Sequence, residues 1–393
     1  MPTAIFDLEY NNLPDEIDNQ KGYDRALVLL RIDGRPVGQA LIPLSPGRIN
    51  RDDLYKSLLL SADSSFWENW LHNYLKFPDH CSNISNTLLN ATVAVCTRDR
   101  PEDLKRCLDA LMQLPDDGQE FIVVDNAPLT NLTQELVEKY KRVRYVRENR
   151  PGLNIARNKA LSEANHDIVV FTDDDAAPDP NWLRTLLRNF DDPNVMCVTG
   201  MTMPLELETE AQEWFQRLGG FGRGFKRMYL DSNNCDPLMG WVAGAGVNMA
   251  LRRTVFELIG LFNEAFDVGT PTRGGGDTDM FIRILLAGYS IVYEPEALNW
   301  HRHRRTWKEL RRQLFGYEVA GFAIWTHYLF RGNFDAARQI GEWVWREVPT
   351  LAKSLLRRPY STPLDITFAR FCGAVVGPWA YPYSVWCLHK GNK

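Results

Sequence analysis

The chain has 393 residues, more than one compact core accommodates, so two structural units with a terminal appendage are expected. Hydrophobic residues make up 45% and charged residues 24%, the balance of a folded soluble protein. A formal net charge of −5 excludes general attraction to nucleic acid or anionic lipid, so any such contact needs a local patch and no nucleic-acid partner is expected.

The first 90 residues read as a small separate unit. A strand-like run over 26–32 is followed by the turn Asp33-Gly34 and a second run over 37–42, which together predict a hairpin. Nothing in this unit has the marks of chemistry. The opening residues lack the basic-then-apolar plan of a signal peptide, so the sequons at Asn83 and Asn90 carry little weight. The seven cysteines (81, 96, 107, 197, 235, 372 and 387) form no CxxC pair and fit reduced, small thiols better than disulfides or a zinc site.

At Ala91 the pattern changes. Strands are expected over 91–96, 121–125, 143–147 and 168–172, alternating with helices over 104–111, 132–140 and 153–164. That alternation implies a mostly parallel α/β sheet with helices on both faces, whose ligands bind beyond the carboxyl ends of the strands. Three strand ends carry polar clusters: Thr97-Arg98-Asp99-Arg100, Asp125-Asn126 and Asp173-Asp174-Asp175. Three adjacent carboxylates repel one another unless a cation or hydrogen bonds offset them, and hard Mg²⁺ or Mn²⁺ take oxygen ligands. The competing reading is a helix N-terminus ahead of Trp182, where acids are favourable without any metal.

Residues 91–95, 96–111, 121–128, 150–161, 169–183 and 274–280 together resemble the family 2 glycosyltransferases of GT-A (Rossmann-like) fold, with the motifs in family order from about 90 to 318. The resemblance implies an enzyme that moves a sugar from a nucleoside-diphosphate donor with Mn²⁺ or Mg²⁺ as cofactor. It places Thr97, Arg98, Arg100 and Asp125 on the nucleotide, and Arg157 and Asn158 on a helix facing nucleotide and sugar. Asp173 and Asp175 match the DxD pair, with Asp175 and His301 on the metal, Asp173 bridging metal and donor, and Asp174 on the donor side; His303 is the reserve ligand. Asp277 matches the general base, and Asp279 is expected near the acceptor. Trp241, Gly244, Ala245 and Asn248 match the wall beside donor sugar and acceptor. The sequence departs from the family at Gly276, where a glutamate usually stands.

Two other enzyme classes fit less well. Haloacid-dehalogenase-like phosphatases carry DxD on their first strand rather than the fourth, and nucleotidyltransferases have a glycine-rich loop after the first strand, where residues 96–101 hold no glycine. A binding protein that has lost activity is the non-catalytic alternative.

Beyond 318 a helical region is expected. Residues 335–356 carry Ala336, Ile340, Trp343, Val344, Val348, Leu351 and Leu355 at helical spacing with basic residues between them, Arg357 and Arg358 beyond, and 371–388 is uncharged but interrupted by Pro378 and Pro382. A membrane span is not expected; contact with a membrane surface or packing on the catalytic domain is. The expected location is cytoplasmic, peripheral to the inner face of the cell membrane if this region is interfacial. The expected acceptor is a glycan, a lipid-linked molecule or a small molecule.

Overall fold

The computed structural model describes residues 2–19, 22–44, 47–75, 90–356, 358 and 361–391. Cys81, Asn83 and Arg357 lie outside them.

The N-terminal part holds β1 (Ala4–Glu9), β2 (Glu16–Asn19), β3 (Arg25–Ile32), β4 (Arg35–Pro43), β5 (Gly47–Asn50), α1 (Arg51–Ser61) and α2 (Ser64–Tyr74). The expected hairpin is β3–β4. Asp33 and Gly34 at its turn both have positive φ, 53° and 78°, which two-residue turns matching strand twist require. β3 is apolar without alternation because both its faces are covered. Ala26, Val28 and Leu30 pack with Leu54, Leu58 and Phe66 of the helices, whereas Leu27 and Leu29 pack against the main sheet's Met201, Met203 and Leu298.

The rest of the chain runs β6 (Ala91–Thr97), α3 (Pro101–Leu111), β7 (Glu120–Asn126), α4 (Leu132–Val137), β8 (Val143–Glu148), α5 (Leu153–Glu163), β9 (Ile168–Asp173), β10 (Ala176–Pro178), α6 (Trp182–Leu187), β11 (Val195–Pro204), α7 (Glu210–Arg217), β12 (Met228–Leu230), β13 (Asn248–Arg252), α8 (Thr254–Ile259), α9 (Gly276–Leu286), β14 (Ser290–His301), α10 (Trp307–Phe330), α11 (Asp335–Leu355) and α12 (Leu364–Gly391). The main sheet has the order β10-β14-β11-β13-β9-β6-β7-β8, with β12 beside β14. β9, β6, β7 and β8 are mutually parallel, as the alternation implies. β13 runs antiparallel to both β9 and β11, so the sheet is mixed.

Side chains alternate across β6 and β7, and each face meets its own helices. Val93, Val95, Phe121 and Val123 pack under Leu104 and Leu108 of α3 and Trp182 of α6. Ala94, Ile122 and Val124 pack against Ala156 and Ala160 of α5 and Phe281 of α9.

α10 begins in a capping box between Thr306 and Glu309 and passes unbroken through residue 318, so the boundary expected there falls inside a helix. α12 likewise continues through Pro378 and Pro382. Among the described residues no helix is long and apolar enough to cross a membrane. The six described cysteines are free thiols.

Candidate active site

β9 ends at Asp173, and Asp174 and Asp175 form the turn into β10. That short strand pairs antiparallel with the end of β14, setting Ala176 opposite His301. Asp175 therefore meets the imidazole directly: Asp175 Oδ1 lies 3.0 Å from His301 Nε2. Asp173, Asp175 and His301 each bring a potential ligand atom within 4.8 Å of the others. The helix-N-terminus account of the three acids does not apply, because β10 separates them from α6.

The three carboxylates stand in different fields. Burial and the neighbouring Asp175 push Asp173 above the ordinary carboxylate range, with Arg157 and His301 opposing. Asp174 accepts from Thr97 Oγ1 at 2.7 Å and from Arg100 Nη1 at 3.3 Å, yet burial and Asp175 still raise it to about 7. Burial alone would also raise Asp175. His301, Arg304 at 3.6 Å and Arg100 at 3.2 Å outweigh that cost and hold it below its usual range. Two carboxylates and one imidazole make a donor set of hard oxygens with one nitrogen, which suits Mn²⁺.

Asp277 reaches the same crevice from α9. Its Oδ2 accepts from Gly246 N at 2.8 Å and its Oδ1 from Thr278 N at 2.8 Å, and the side chain is half-buried in the helix's first turn. Gly246 lies just ahead of β13, whose Asn248 pairs with Thr172 of β9, so the loop that holds Asp277 is set beside the aspartate turn. Arg157 completes the link: a Cβ on Gly246 would collide with its guanidinium and lie 3.0 Å from Asp277 Oδ2. Only glycine leaves room for that convergence.

The remaining expected positions lie around this group in varied settings. Arg100 turns to the aspartates and Arg98 stays half-exposed at the strand end, near Asp99 at 3.9 Å. Asp125 is fully buried, its Oδ2 accepting from Tyr145 Oη at 2.8 Å and burial raising its pKa. Asn158 is bonded at both ends to the backbone of Phe262 and does not face the crevice. Asn248 is a correction as well: wholly buried, it donates to Met201 O and Ala297 O and accepts from Trp182 Nε1. Asp279 lies beneath the site rather than at its mouth, paired with Arg283 at 2.8 Å and close to Tyr328 Oη. Gly244, at φ 136°, packs where a Cβ would stand 2.8 Å from Thr199, and the half-buried Trp241 rests edge-on against Trp325. His303 touches His301 through Nδ1 atoms 3.2 Å apart, and burial pushes it down to about 3.

Gly276 has a structural reason. A Cβ there would overlap the carboxamide of Asn154, which is fixed by hydrogen bonds to Asn263 O and Phe266 O. Asn154 and Leu153 in turn donate their backbone N–H groups to buried Asp267, which caps α5 from across the chain.

Sequence reasoning passed over Arg223. It lies in a run with four glycines, 219–224, whose Phe221 packs 5.0 Å from His301. Its guanidinium donates to Trp241 O, Gly222 O and Gly244 O, and no carboxylate among the described residues forms an ion pair with it. The density of glycine around one arginine was the available signal.

A strand-end crevice of this kind, in a mixed α/β sheet of GT-A type, defines a class, and comparison with known proteins fixes it. Residues 92–259 match the model for glycosyl transferase family 2. The O-antigen chain rhamnosyltransferase WbaN of Salmonella anatum is 30% identical over 56% of this chain and 67% of its own length. The chain belongs to glycosyl transferase family 2. The succinoglycan biosynthesis protein ExoM of Rhizobium meliloti is 28% identical over 54% of this chain and 66% of that protein. The probable glycosyltransferase YdaM of Bacillus subtilis is 24% identical, and the match spans 61% of its length. Among solved structures, the Pyrobaculum calidifontis mannosyltransferase PcManGT, in complex with GDP-Man and Mn²⁺, aligns over 83% of this chain and 82% of its own at 19% identity, with a TM-score of 0.46.

Proposed function

We propose that the protein is an inverting glycosyltransferase that moves a sugar from a nucleoside-diphosphate donor, UDP foremost, to an acceptor hydroxyl in polysaccharide or glycolipid synthesis. One observation carries this: a carboxylate–imidazole group able to hold a divalent ion lies near enough to Asp277 for that acid's charge to act on Asp173, and Asp277, which accepts two backbone N–H bonds, stays half-buried. The two relatives named for O-antigen and succinoglycan synthesis support the same acceptor chemistry.

In this reading Asp277 takes the proton of the acceptor hydroxyl as that oxygen forms its bond to the anomeric carbon. The bond from that carbon to the diphosphate oxygen breaks on the opposite face, and its electron pair leaves with the diphosphate. Mn²⁺ or Mg²⁺ held by Asp175, Asp173 and His301 would supply positive charge to the departing diphosphate. Arg100 and Arg304, which reach Asp175, sit where they can turn toward phosphate oxygens. Thr97, Arg98 and Asp125 mark the nucleoside end, and the Arg157 guanidinium offsets the negative charge of Asp173. The acceptor is a glycan or a lipid-linked molecule, with residues 334–390 at a membrane surface.

The test joins binding to turnover. Mn²⁺ with UDP should raise the melting temperature, EDTA should abolish the rise, and Asp175→Asn should lose it, since a ligand selective for the native state adds stability. Asp277→Asn should keep the rise while sugar transfer from a labelled UDP-sugar falls by about 10²–10⁴. Undiminished transfer by Asp277→Asn would remove the base; a shift with no transfer by the wild type would leave only a binding protein.

A further inference from the structure

α11 carries its polarity the wrong way round for a helix that ends at solvent. Its inward positions include Gln339, Glu347 and Ser354, alongside Ala336 and Trp343. Gln339 donates to Asp236 at 2.6 Å and Glu347 pairs with Arg370 at 2.8 Å, so these polar groups are built into the seam with their partners. The outward side holds Val344, Trp345, Val348 and Leu355, with Trp345 84% exposed. The apolar series expected along this helix is therefore split, and part of it faces away from the protein. α12 repeats the pattern: Phe368, Val375, Trp379, Tyr383 and Trp386 follow one another at helical spacing and all are exposed, Trp379 at 76%. Its inward glycines instead press on α10, where a Cβ at Gly377 would lie 2.8 Å from Val319 O.

Charge chooses between the surfaces that could cover these stripes. Exposed Arg346 and Lys353 flank the α11 stripe with Arg358 just beyond, and Lys390 lies 4.1 Å over the Trp386 ring at the end of α12. Glu342 is the one exposed acid among the described residues between Asp335 and Asp365. Tryptophan and tyrosine beside lysine and arginine on an apolar helix face suit the boundary between lipid headgroups and acyl chains. A second copy of the chain would have to bring matching acids, which these stripes lack.

We propose that the outward stripes of α11 and α12 dock on an anionic lipid surface, with Trp345, Trp379 and Trp386 seated at the headgroup boundary. The proposal gives residues to the membrane contact within the function above, but it does not depend on the donor or the base. α10, against which both helices pack, begins six residues after His301, so docking would fix the crevice relative to the membrane. An acceptor anchored in that surface could then present its hydroxyl without leaving the lipid.

Flotation of the full chain with vesicles tests this, with no nucleotide present. The wild type should float with vesicles of equal phosphatidylglycerol and phosphatidylcholine, and far less with phosphatidylcholine alone. The triple variant Trp345→Ser, Trp379→Ser, Trp386→Ser should lose about tenfold in vesicle affinity. A second variant, Arg346→Glu, Lys353→Glu, Arg358→Glu, should lose the preference for anionic lipid. Both sets lie at the surface, so an unchanged melting temperature and an unchanged shift with UDP and Mn²⁺ show that fold and donor site are intact. Absence of wild-type flotation, or equal flotation by the tryptophan variant, overturns the proposal. So does a concentration-dependent dimer abolished by the tryptophan variant without any flotation, which would assign the stripes to a second copy.

Discussion

At the scale of residues, Asn154 accounts for the one departure from the family motif. Its carboxamide fills the volume into which a side chain at position 276 would project, and two carbonyls from the 263–266 loop hold it there. Gly276→Glu should therefore destabilise the fold by about 1–3 kcal/mol through overpacking, read as a fall in denaturation midpoint. Asn154→Ala should relieve part of that cost. In the double-mutant cycle the pair should be less destabilised than the sum of the singles by about 1 kcal/mol; strict additivity would mean that the two side chains do not compete. Asp173 and His301 were readable because each ends a strand, and Asp175 because it lies in the turn that follows one; strand ends on one edge of a sheet converge. Asn158, Asn248 and Asp279 are polar residues in or beside the same motifs, but their partners are the Phe262 backbone, the Met201 and Ala297 carbonyls and the Arg283 side chain. Apart from Arg283, those partners are far away along the chain. Arg100, expected at the nucleotide, turns to the nearest negative charges, Asp174 and Asp175.

At the scale of elements, the seam between α10 and α12 depends on backbone proximity. Gly377 faces α10 so closely that an added methyl would strike the Phe322 side chain and the Val319 carbonyl, and Gly373 stands in the same relation to Phe315 O and Glu318. Gly377→Ala should lower stability by about 1–3 kcal/mol even though alanine is the better helix former. Gly321→Ala on α10 meets nothing within 4 Å and should instead stabilise by about 0.5–1 kcal/mol. Chemical denaturation of both variants checks the pair; equal effects would show that propensity, and not close packing, governs the seam. Sequence patterning treated the prolines of the last segment as interruptions, yet α12 runs through both. Pro378 and Pro382 are four residues apart, so the donor that Pro382 lacks is the one that would have bonded to the carbonyl of Pro378 itself. Pro378 likewise leaves the Ala374 carbonyl without its helical donor, so the cost is limited to two consecutive turns beside a well-packed neighbour. Which side of α11 turns inward was equally hidden, because apolar spacing alone does not say whether a stripe meets protein or something else.

At the scale of the whole molecule, the N-terminal unit and the main sheet share a core. β3 contributes Leu27 and Leu29 to a cluster with Met201, Met203, Tyr293 and Leu298, and β11 and β14, which supply four of those residues, also form the His301 side of the crevice. Polar ties reinforce the join: Thr3 Oγ1 donates to Glu213 at 2.6 Å, Arg25 forms an ion pair with the same carboxylate, and Arg31 reaches Asp179 just after β10 at 2.7 Å. A unit so connected should unfold with its partner and not ahead of it. Leu29 is fully buried at the join and distant in sequence from every residue of the crevice. Leu29→Ala should therefore cost about 2–5 kcal/mol, and the chain should still melt in one transition. Hydrogen exchange gives the sharper reading: amides of β11 and β14 should lose protection together with those of β3 and β4. If only β3 and β4 lose protection while β11 and β14 keep theirs, the unit built on β1–β5, α1 and α2 is an independent domain resting on the sheet, and the shared cluster is a contact surface and not a common core.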